Sequence, residues 1–65
     1  MNRQTIGERL TSLRGDRPQG EVAKVLGISQ AALSSYECGT RVPRDDLKIR
    51  IADFYGVSVQ DIFFA

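Results

Sequence analysis

Histidine is absent from the chain and cysteine occurs once, at Cys38. Losing histidine removes the commonest general base, the commonest metal ligand and every His-dependent nucleophile arrangement. A single cysteine can build neither an internal disulfide nor a cysteine-based zinc site. Neither catalysis, a metal nor a cofactor is therefore expected. No apolar run approaches the roughly 20 residues that span a bilayer. Met1-Asn2-Arg3-Gln4 leads into alternating polar and apolar residues rather than a signal-peptide core. The expectation is a soluble cytoplasmic protein with no membrane partner. A strong charge of either sign is missing too: the formal net charge is +1, which does not by itself indicate nucleic acid.

What is present fits one small globular domain over residues 1–65, since 65 residues are too few for a second core. A hydrophobic fraction of 42% and a charged fraction of 26% argue against disorder and low complexity. The charge is unevenly spread. Residues 17–44 carry Arg17, Lys24, Arg41 and Arg44 against Glu21 and Glu37, whereas residues 45–65 carry Lys48 and Arg50 against Asp45, Asp46, Asp53 and Asp61. The middle of the chain is its electropositive part.

Five short helices and no strand are read from the pattern. Thr5 with Glu8 forms a capping box, and Ile6, Leu10 and Leu13 recur at helical spacing until Gly15. Pro18 suits the first position of a second helix, whose stripe Val22, Ala23 and Leu26 stops at Gly27. Ser29 caps a third helix with Leu33 and Tyr36 inward, and Gly39 stops it. After a loop through Pro43, Asp45 and Asp46 place negative charge at a fourth helix start, and Leu47, Ile51, Ala52 and Tyr55 face inward until Gly56. Ser58 with Asp61 opens a last helix carrying Val59, Ile62, Phe63 and Phe64.

Ala23, Gly27 and Leu33 have the spacing of two helices crossing around a tight turn. A small side chain lets the helices approach, glycine permits a positive φ, and leucine fills the angle between them. This is the pattern of a helix-turn-helix; on spacing alone an ordinary helical hairpin competes with it. The third helix leaves Gln30, Ala31, Ser34, Ser35 and Cys38 outward, a strip with no charged side chain. Short side chains and an amide suit a major-groove helix, because an amide can bond adenine N6 and N7 together. The bland alternative is a polar surface strip. Gln19, Arg41 and Arg44 flank that strip and can meet phosphates on either side.

These stretches resemble the Xre/Cro-like repressor helix-turn-helix domains, over nearly the whole chain. The resemblance rests on Gln19-Gly20-Glu21-Val22-Ala23, Leu26-Gly27-Ile28-Ser29-Gln30, Leu33-Ser34-Ser35-Tyr36-Glu37, Gly39-Thr40-Arg41-Val42-Pro43 and Ile51 to Val59. It implies an all-α, lambda-repressor-like five-helix fold in a bacterial or phage-encoded, nucleoid-associated regulator, with Gln30 and Ala31 at the base-reading end and Gln19 and Arg41 on phosphates. It further implies an ion pair between Arg14 and Glu37. Cys38 stands where relatives often carry a phosphate-contacting asparagine, so it is placed beside the phosphate contacts, although a thiol donates weakly. The loop Gly15-Asp16-Arg17-Pro18 is about two residues shorter than in longer members, with Pro18 in place of the usual serine cap. Gly20 is unusual so early in a helix, and a close DNA backbone is one reason for it.

The expected function is sequence-specific double-stranded DNA binding by a transcriptional regulator, a repressor on a palindromic operator. Ile62, Phe63 and Phe64 are the expected homodimer interface, because a small monomer has little surface to cover them. The alternatives are that both rings fold into the core, or that Ala65 precedes further helices. A protein-interaction module, such as an antitoxin or adaptor, is the competing function. An enzyme built on Asp45 and Asp46 is disfavoured, since those carboxylates serve a helix start.

Overall fold

A computed structural model of the protein describes residues 3–64. It contains α1 (Arg3–Arg14), α2 (Gln19–Leu26), α3 (Gln30–Glu37), α4 (Asp45–Tyr55) and a last short helix, α5 (Gln60–Phe64), wound as a π turn. No strand occurs among the described residues. Helix periodicity delivers Leu10, Leu33, Ile51 and Ile62 to one fully buried centre, so four of the five helices each contribute a side chain to the same core. No polar or charged residue is buried among the described residues, so the centre of the core is apolar. No described helix is long and apolar enough to cross a membrane.

The helix ends follow local chemistry. Gly27 adopts φ 74°, and the N–H groups of Gly27 and Ile28 donate to the carbonyls of Lys24 and Ala23 at 3.1 and 3.0 Å. This closes α2 with a left-handed residue that costs a side-chain-bearing residue strain. Two residues on, the Ser29 hydroxyl accepts the Ala32 N–H at 3.0 Å and opens α3. The last helix is opened likewise: Asp61 N–H donates to the Ser58 hydroxyl at 3.0 Å.

Two helix starts differ from the sequence expectation. α1 is already helical at Arg3, so Thr5 lies inside it and the Thr5/Glu8 pair does not mark its start. Pro18 is the residue before α2 rather than its first helical residue: it is extended at ψ 135°, and its carbonyl accepts the N–H groups of Glu21 and Val22, each at 3.2 Å. A proline has no side-chain acceptor for the helix, so α2 begins with no side-chain cap.

Gly7 was not singled out by the sequence, yet it sets how close α1 lies to α3. A Cβ there would collide with the Glu37 carbonyl oxygen and stand 3.0 Å from that of Tyr36. Backbone therefore packs on backbone at this crossing. The usual cost of glycine in a helix interior, about 1 kcal/mol, is accepted for that approach.

Candidate nucleic-acid interface

α2 and α3 cross around the Gly27–Ser29 turn, with Ala23 and Leu33 buried between them. The inward edge of α3 is Leu33 and Tyr36. The opposite edge presents Gln30, Ala31 and Cys38 exposed, with Ser34 and Ser35 half-buried. The Ser35 hydroxyl donates to the Ala32 carbonyl at 2.7 Å, so in the free protein it offers lone pairs outward rather than a proton. The Ser34 hydroxyl lies 4.0 Å from the Cys38 sulfur, a weak contact along the same strip.

A chain of polar contacts runs behind this strip. Arg14 Nε and Nη2 donate to Glu37 Oε2 and Oε1 at 2.8 and 3.1 Å, a two-pronged ion pair. Gln19 Nε2 donates to the same Oε1 at 3.0 Å, and Gln30 Nε2 donates to Gln19 Oε1 at 3.4 Å. The Glu37 side chain is only 6% exposed and that of Arg14 19%, so the pair is shielded from solvent screening. The hydrogen bond to Glu37 raises the Arg14 pKa above its ordinary value, against the opposing effect of burial. Charge at the end of α1 is thus linked, through two amides, to the first residue of α3.

Gly20 faces this chain. A Cβ at Gly20 would stand 3.1 Å from Gln30 Oε1. The space that a side chain would fill is occupied by Gln30, which gives the glycine a reason inside the protein itself.

On the other flank, the Arg41 guanidinium lies 5.5 Å from the centroid of the Tyr36 ring, which holds an exposed cation beside the strip. Arg41, Arg44 and Arg50 line one cavity of about 420 Å³ with a single carboxylate, Asp46. Arg50 was not a sequence candidate. Its place on α4 gave no sign that it would reach across to donate to the Leu26 carbonyl at 3.0 Å, at the end of α2.

The three C-terminal candidates separate. Ile62 and Phe63 are 1% and 2% exposed and belong to the core of the single chain, so they present no surface to a partner. A π turn carries both inward and leaves Phe64 63% exposed, with Lys48 Nζ 5.1 Å from its ring. Sequence could not sort three consecutive apolar residues, because such a run has no period. Among the described residues no group of three or more acidic, cysteine or histidine side chains could hold a metal ion.

The comparison with known proteins agrees with this architecture. Residues 5–62 match the model of a helix-turn-helix domain family. The chain is 40% identical over 45 residues to an uncharacterized HTH-type transcriptional regulator of Methanocaldococcus jannaschii, covering 69% of this chain and 68% of the relative. No solved structure matches it. With the match running from Thr5 in α1 to Ile62 in α5, the chain belongs to the helix-turn-helix domain family.

Proposed function

We propose that the chain is a sequence-specific double-stranded DNA-binding regulator of transcription, a repressor acting from the cytoplasm as a homodimer on a palindromic operator. Residues 1–65 serve as one binding domain. The observation that carries the reading is the outward edge of α3, uncharged along its length and headed by an exposed glutamine whose amide is held by Gln19. Gln30 and Ala31 read bases, with Ser34 and Ser35 beside them in the major groove. Gln19 on one flank and Arg41 and Arg44 on the other meet phosphates and set the register, with Cys38 alongside them. Membership of the helix-turn-helix family and the name of the archaeal relative support the regulatory role.

The dimer uses Phe64, the large apolar side chain that α5 leaves outward. Two copies joined there would set their recognition helices about 34 Å apart, one turn of duplex. Selection from a randomised duplex library at two salt concentrations tests the whole reading. The expected result is a palindromic motif that Gln30→Ala relaxes at one base pair per half-site, while Arg41→Ala weakens all sequences alike and lowers the salt slope by about one. Binding that is absent, or indifferent to both changes, sinks the reading in favour of a protein partner.

A further inference from the structure

The loop Gly15-Asp16-Arg17-Pro18 must place Gln19 accurately, yet α2 begins with no side-chain cap. What steadies it comes from the far end of the chain. Phe54 and Tyr55 close α4 as an edge-to-face pair, with ring centroids 5.1 Å apart and planes at 66°. The Arg17 guanidinium carbon lies 5.3 Å from the Phe54 centroid and 5.6 Å from that of Tyr55. The backbone of the same residue is tied as well: its N–H donates to the Arg14 carbonyl at 3.2 Å, and its carbonyl accepts Arg14 Nη1 at 2.7 Å. Arg17 is thus held at both ends, by rings on one side and by the Glu37-paired arginine on the other. Phe54 also lines a groove with Pro18, Glu21 and Val22, so the ring faces the region where α2 begins.

Gln19 is only two residues beyond this anchor, and its bond to Gln30 is 3.4 Å, near the limit at which such a bond counts. A shift of a few tenths of an ångström at the loop would release the Gln30 amide. We infer that Arg17, seated on Phe54 and Tyr55, is a positioning residue that aims the Gln30 amide and so sharpens base choice without touching DNA. This rests on α3 being the base-reading helix, and it assigns to the end of α4 a part in specificity.

The test has one arm without DNA and one with it. In the free protein, Arg17→Ala should move the side-chain amide NMR signals of Gln19 and Gln30 and leave that of Gln60, on α5, in place. On the consensus duplex and its single-base-pair variants at the position relaxed by Gln30→Ala, Arg17→Ala should cut the preference about three- to tenfold with the salt slope unchanged. Phe54→Leu should reproduce both effects, and Arg17→Lys should stay nearer to Arg17→Ala, because a lysine ammonium cannot stack as a guanidinium does. Unmoved amides, or an unchanged preference beside a lower melting temperature, would overturn the inference in favour of a purely structural role. Full recovery by Arg17→Lys would overturn it in favour of charge alone, and a salt slope lower by about one would make Arg17 a phosphate contact instead. If Gln30→Ala relaxes no base pair, the DNA reading itself fails and the proposed role in specificity falls with it.

Discussion

Two seams hold this small protein together, and they are built on opposite principles. Where α1 crosses α3, Gly7 brings backbone against backbone and Arg14, Glu37, Gln19 and Gln30 form a directional polar chain. Where α4 and α5 close the other side, Ile51, Ile62 and Phe63 are simply buried, and the cation of Lys48 lies 5.5 Å from the Phe63 ring. Apolar burial is non-directional and sets how much stability the fold has. Hydrogen bonds and ion pairs have fixed geometry and set where particular atoms stand. The polar seam is the one that reaches the proposed base-reading residue.

The sharpest way to break this contrast is to damage each seam by a similar amount. Phe63→Ala should cost about 3–5 kcal/mol in urea unfolding, as loss of a fully buried aromatic does, with the Gln19 and Gln30 amide signals unmoved. Glu37→Ala should cost about 2–3 kcal/mol, discounted from a fully buried pair because Arg14 keeps some solvent and its bond to the Arg17 carbonyl, and should displace both amide signals. Equal displacement by the two variants would erase the distinction between the seams. The smallest effect is expected where the seams meet. The Tyr55 hydroxyl is buried without a hydrogen-bond partner, and burial raises its pKa above the ordinary value near 10, with Glu37 adding to the rise. Tyr55→Phe removes an unsatisfied group and should gain about 1 kcal/mol at pH 8. The sign of the pH effect follows from linkage: the folded state holds that proton more tightly than the unfolded chain, so wild type loses stability as pH rises from about 10 through the raised folded value. The advantage of Tyr55→Phe should therefore widen between pH 8 and pH 11, and a constant gap would show that the hydroxyl is as well hydrated in the folded protein as in the unfolded chain.

Local chemistry made much of the fold legible. The stops at Gly27 and Gly56, the Ser29 cap and the inward stripes of α2, α3 and α4 each depend on residues within one or two turns. Beyond the two local helix starts at Arg3 and Gln19 and the unsorted run Ile62 to Phe64, what the sequence hid is set by something distant. A glycine inside α1 carries no mark of the α3 carbonyls that press on it, and Gly20 none of the Gln30 side chain above it. Arg17 and Phe54 are adjacent in space and 37 residues apart in sequence, so no periodicity joins them. The candidate site was legible as a set of residues on one helix edge. Its internal wiring was not, because two glutamines at distant positions give no hint that one amide holds the other.

The place where Gly7 meets α3 has a mechanical consequence. A short helix packed on another keeps two soft freedoms, sliding along its axis and rolling about it. Close backbone approach at Tyr36 and Glu37 blocks the slide, and the two-pronged grip on Glu37 blocks the roll, both at the C-terminal end of α3. Gln30 sits at the opposite end, about 10 Å away at 1.5 Å per residue. A rod clamped at one end magnifies angular error at its tip, so the contact with Gln19 acts as the second bearing of the mount. An eight-residue helix is short enough for two such bearings to fix its aim, and each added turn would move its tip farther from the clamp.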